Sequence, residues 1–98
     1  MYVGALTLDV LLGDVRSLKQ KRSAIRPVIA ELQRRFAVSV AETGALDLHR
    51  RANIGMAVVA ADRGRVVEVL DAAERLVASR PEMDLLSARR GMRRSTDD

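Results

Sequence analysis

The chain has 98 residues, no cysteine, and 17 Lys or Arg against 13 Asp or Glu, giving a formal net charge of +4. From that length one domain with a single modest core is expected, without a second. The missing cysteines exclude a disulfide-stapled scaffold, a thiolate nucleophile and a cysteine metal site.

Residues 1–12 are apolar, with Leu6, Leu8, Val10 and Leu12 on one face and Ala5, Thr7 and Asp9 on the other, a pattern that predicts a central strand ended by Gly13-Asp14. This N-terminal stretch has Asp9 and Asp14 and no cation ahead of its apolar run. No run approaches the roughly 20 apolar residues of a membrane span, so neither a secretory leader nor an anchor is expected, and the protein is expected in the cytosol. Ser17, with Gln20 three residues later, forms a capping-box pair ahead of a helix predicted over 18–35. Leu18, Ile25, Ile29, Leu32 and Phe36 share an arc of about 60° on its wheel, with Val28 at the edge. Pro27 lies opposite that stripe, deprives the Ser23 carbonyl of its donor, and is expected to bend or break the helix.

Residues 36–43 alternate again, with Val38 and Val40 on one face and Ala37, Ser39 and Ala41 on the other; residues 52–61 form a further apolar strand. The 44–50 connection is too short for a crossover helix, so these two strands should be antiparallel. Asp62 is placed to cap a second helix with a Val66, Leu70, Ala73 and Val77 stripe and an Asp71/Arg75 surface pair, and Pro81 marks its end. Met83 to about Met92 predicts a weaker strand, and residues 93–98 a frayed tail carrying Arg93, Arg94, Asp97 and Asp98. The order βαββαβ predicts an α+β, ferredoxin-like sandwich: one domain over residues 1–92, a four-stranded antiparallel sheet, and two helices on one face.

The opposite sheet face is then open. Parity assigns it Ala5, Thr7, Ala37, Ser39 and Ala41, with Gly55, Ala57 and Val59 from the third strand. A flat face of small uncharged residues suits a second copy of the chain, a homodimer, or is simply wetted by solvent.

Charge is concentrated in SLKQKRSAIR and its surroundings: from Arg16 to Arg35 there are seven Lys or Arg against one acid, Glu31. Cations at a helix start oppose the unpaired amides and the macrodipole, whereas a bound phosphate reverses the sign of every such interaction. Arg16, Lys19, Lys21, Arg22 and Arg26 are therefore candidate contacts for RNA or a ribosomal particle, and the competing reading makes them solubility charges. Both helices are expected to start at the same end of the sheet, so Arg63 and Arg65 are expected to extend the patch. With Tyr2 and Phe36 the only aromatics, and Phe36 on a core stripe, base stacking on the open face is not expected, and RNA contacts should be mainly to phosphate. An acidic protein is the alternative partner for the same basic face.

Catalysis is not expected. His49, Glu42 and Asp47 flank one connection, but no HxH or HExxH spacing accompanies them, and Ser39 lacks a nucleophile elbow; neither metal nor other cofactor is expected. Glu42 shares the inward parity of Val38 and Val40, which gives it a structural role, accepting backbone hydrogen bonds or pairing with Arg50 or Arg51.

Ser17-Leu18-Lys19 with Lys21-Arg22, Arg35-Phe36, Val38-Ser39-Val40 with Glu42, and Arg51-Ala52 with Gly55 together resemble the YlxP-like family of small uncharacterised bacterial proteins over about residues 2–80. The chain departs from that pattern at Ala37, where the family often has Asn, and at His49, where it often has Trp. The resemblance implies a ferredoxin-like fold and, from the genes that neighbour such members, a cytosolic partner in translation or ribosome maturation. It diagnoses no chemistry.

Overall fold

A computed structural model of the protein describes residues 1–95. The elements follow in the expected order: β1 (Tyr2–Leu12), α1 (Leu18–Arg35), β2 (Ser39–Gly44), β3 (Arg51–Ala60), α2 (Arg63–Ala78) and β4 (Met83–Arg94). The strands form one antiparallel sheet in the order β2-β3-β1-β4. The fold is ferredoxin-like, and no helix among the described residues is long and apolar enough to cross a membrane.

The core lies between the sheet and the helices. Leu6, Leu8, Val10 and Leu12 of β1 and Ala52, Ile54, Met56 and Val58 of β3 meet Ile25, Val28 and Leu32 of α1 and Val66, Leu70, Ala73 and Val77 of α2, all buried. The period-2 runs and the period-3.6 runs thus turn their apolar sides to one another. Gly4 is buried in this layer, and a methyl group there would overlap Val66 Cγ1, so its missing side chain is what lets α2 approach β1. Phe36 packs against the edge of the core and is only partly buried, with the Arg35 guanidinium 5.9 Å from its ring centroid.

Helix ends follow the sequence closely. Ser17 Oγ accepts the Gln20 N–H at 3.1 Å, and Gln20 Oε1 accepts the Arg16 N–H at 2.6 Å, one residue before the usual capping-box donor. Asp62 accepts the Arg65 N–H at 2.8 Å. Pro27 does not break α1, which is continuous from Leu18 to Arg35.

Two strand ends differ from expectation. β2 begins at Ser39, so Ala37 precedes the strand; the Val38 N–H is turned back to the Phe36 carbonyl at 2.8 Å. β4 extends to Arg94 because β1 supplies partners to its end, with Val3 opposite Arg93 and Tyr2 opposite Arg94. The Ser95 N–H also donates to the Met1 carbonyl at 2.8 Å, so the expected frayed tail does not begin at Arg93; its remainder, 96–98, lies outside the described residues.

Candidate functional site

Three groups of residues singled out by sequence acquire positions: the cations near the start of α1, those near the start of α2, and the small residues of the open face. The first two do not form one patch. β1 and β3 are antiparallel, with Leu11 opposite Arg51 at one end and Tyr2 opposite Ala60 at the other. α1 leaves from the Leu12 end and α2 from the Ala60 end, roughly 30 Å apart at the rise of a strand. Arg63 and Arg65 therefore do not extend the α1 cations, and Arg65 is paired with Glu68 at 2.7 Å.

Lys21 also leaves the patch. Its side chain is 1% exposed, and Nζ lies 2.6 Å from Glu42 Oε2 while donating to the Ala45 and Leu48 carbonyls at 2.7 Å each. The ammonium is buried against two carbonyls it donates to and against the Glu42 carboxylate, so it is not presented to a phosphate. Glu42 is structural, as its inward parity suggests, but its partner is Lys21 and neither Arg50 nor Arg51. Glu42 Oε2 is buried with no conventional hydrogen bond, so the charge contact with Lys21 is what compensates its burial. The arrangement fastens the 45–50 connection to α1, and Ala45 adopts φ 57° within it.

Arg50 and Arg51 have other duties. Arg50 Nε donates to the Leu12 and Gly13 carbonyls at 3.2 and 3.0 Å, tying the end of β1 to the same connection. Arg51 forms a two-pronged pair with Asp9 on the open face, Nε to Oδ1 at 3.2 Å and Nη2 to Oδ2. His49 is exposed in the connection.

What remains at the α1 end is an exposed ridge. Lys19, Arg22 and Arg26 follow helical spacing, are exposed, and make no ion pair among the described residues. No acid occupies the first turn of α1. Glu31 is engaged by Arg34, Arg35 and Arg80, at 3.6, 3.8 and 3.0 Å. Arg16 is exposed beside Asp14 at 3.4 Å, and with Arg50 these two line a crevice of about 410 Å³ that also contains Gly13 and Val15. Ser17 Oγ caps the Gln20 N–H, and the Gln20 side-chain oxygen accepts from the Arg16 N–H ahead of the helix.

On the open face, Ala5, Thr7, Ser39, Ala41, Gly55 and Ala57 line a shallow trough of about 390 Å³. Register puts Ser39, Ala57 and Ala5 in one row and Ala41, Gly55 and Thr7 in the next, with Gly91 and Arg89 of β4 continuing the two rows. Val59 stands beyond the trough, 59% exposed. Thr43 lies over Gly55: a Cβ there would sit 2.6 Å from Thr43 Cγ2, so the threonine side chain would have to shift.

This topology and the sheet order define a small ferredoxin-like domain, and a de novo designed protein with a ferredoxin fold, solved by solution NMR, superposes with a TM-score of 0.52 at 13% identity, covering 98% of this chain and 88% of that one. The chain belongs to the family described as protein of unknown function DUF503, whose sequence profile matches residues 3–90. It is 28% identical over 82 residues to the uncharacterized protein YlxP of Bacillus subtilis (strain 168), covering 84% of this chain and 89% of that protein.

Proposed function

We propose that the protein is a non-catalytic accessory factor in the cytoplasm that binds RNA, free or within a ribosomal particle, through the exposed start of α1. The observation that carries this reading is the uncompensated ridge Lys19, Arg22 and Arg26, with the nearby acids Glu31 and Glu42 already paired. Arg16 and the outer part of Arg50 flank it. Contacts of this kind neutralise phosphates and carry little base information, so binding depends steeply on salt and weakly on sequence. The test is recovery of partners from bacterial lysate on immobilised protein, with and without nuclease. Ribosomal particles or RNA recovered only without nuclease, and lost on Lys19→Ala/Arg22→Ala/Arg26→Ala, support the reading. Recovery that ignores both changes overturns it.

The trough on the open face favours a second reading, in which two copies pack face to face into a homodimeric interaction module. With β2 only six residues long, strands at about 4.8 Å spacing and about 3.4 Å per residue give a face of roughly 640 Å² per copy, the lower end of a standard interface if all of it is covered.

A further inference from the structure

β4 is an edge of the sheet, with β1 on one side and, among the described residues, no strand on the other. Alternate backbone N–H and C=O groups of such a strand point outward and can pair with an added strand. Beside the edge runs a groove of about 270 Å³, walled by Arg63, Val67 and Leu70 from the first turns of α2 and by Arg90, Gly91 and Met92 of β4. Val67 turns away from the core and is 36% exposed, which gives the groove an apolar wall open to solvent.

Register sorts the side chains that an added strand would meet. Arg90 and Met92 lie opposite Leu6 and Gly4, on the helix side, whereas Arg89, Gly91 and Arg93 lie opposite Thr7, Ala5 and Val3, on the open side. A Cβ at Gly91 would meet nothing within 4 Å, so the open side between the two arginines is unobstructed. Arg90 is drawn back onto α2 by Asp71 and Glu74, at 2.8 and 3.1 Å. Burial alone would make that guanidinium give up its proton more easily, but the hydrogen bonds and charges of those two acids outweigh it and leave the pKa raised. Arg89 makes no ion pair among the described residues.

These features select an occupant. A uniformly acidic segment would leave the Val67 wall bare, and a uniformly apolar one would leave Arg89 and Arg93 unmatched. We propose that the β4 edge binds an extended segment of a partner protein in which apolar and acidic residues alternate, apolar side chains entering the α2/β4 groove and carboxylates meeting Arg89 and Arg93. The site lies at the opposite end of the sheet from the RNA ridge, so the two assignments fail independently.

The probe is a fluorescein-labelled peptide of alternating Val and Glu, followed by polarisation and by amide shifts of the isotope-labelled full chain. Saturable binding in the range of about 10–100 μM is expected, with shifts confined to residues 86–94 and the first turns of α2. Val67→Glu and Arg89→Glu, both at exposed positions, should each weaken it at least about tenfold, as should alternate N-methylation of the peptide, while Lys19→Ala/Arg22→Ala leaves it unchanged. Equal binding of the N-methylated peptide would reduce the contact to charge attraction and overturn the proposal. So would an absence of binding at about 500 μM peptide, or shifts at these residues produced only by an oligoribonucleotide.

Discussion

At the scale of single residues the decisive one is Lys21. Read as one more cation in SLKQKR, it joins a phosphate-binding set; in the structure it is the most deeply buried charge among the described residues, held by Glu42, Ala45 and Leu48. The sequence contained the signal. Lys21 stands four, seven and eleven residues before Ile25, Val28 and Leu32, on the same helical stripe, and Glu42 carries inward parity in the neighbouring strand. Two inward charges of opposite sign are each costly alone and tolerable as a pair, which is the inference that strand parity and helix periodicity, taken separately, do not deliver. Lys21→Met should destabilise the fold by about 3 kcal/mol, because it strands Glu42 and two carbonyls, and Glu42→Gln by about 1–3 kcal/mol. In a denaturant-unfolding cycle with Lys21→Met/Glu42→Gln, the two losses should fall short of additivity by about 1 kcal/mol or more. Strict additivity would mean that the 2.6 Å contact contributes no coupling.

At the scale of elements, the number and order of strands and helices were legible because each buried face repeats its own period, and Ser17 and Asp62 marked the helix starts by the chemistry of their side chains. The ends of strands were less so. Alternation says which way a side chain points but not whether a neighbour supplies hydrogen bonds, and β4 continues through Arg93 and Arg94 only because Val3 and Tyr2 lie opposite. The placement of Arg63 and Arg65 beside the α1 cations failed for a related reason: a helix starts where its preceding strand ends, and antiparallel neighbours end on opposite sides. Nothing local distinguishes Gly4 within an apolar run; its role appears only when α2 is laid across β1. Gly4→Ala should therefore cost about 1–3 kcal/mol by overpacking against Val66, read as a lower denaturation midpoint at unchanged slope, and Val66→Ala in the same chain should restore part of it. An unaffected midpoint in Gly4→Ala would show that α2 gives way freely.

At the scale of the whole molecule, the two faces of the sheet have separate fates. One is filled by helices, and the other presents the Ala57 trough, closed at the α1 end by the Asp9/Arg51 pair. If two copies meet there, Ala57→Arg, which puts an unpaired charge in the centre of a central strand, should turn a dimer into a folded monomer by static light scattering at high micromolar concentration. A wild-type monomer under those conditions, or a dimer that survives the substitution, would remove the open face from consideration.

Charge is likewise divided, with Lys19, Arg22 and Arg26 at the α1 end and the β4 arginines toward the other. The central claim is that the first group neutralises RNA phosphates, and the salt dependence of binding counts those phosphates directly. With single-stranded RNA and about four contacts, the logarithm of the association constant should fall against the logarithm of salt concentration with a slope near −3. Lys19→Ala/Arg22→Ala/Arg26→Ala, folded to the same midpoint, should make that slope shallower by about 2 units. An unchanged slope in the variant, or no binding by the wild-type protein at about 50 mM salt, would contradict it.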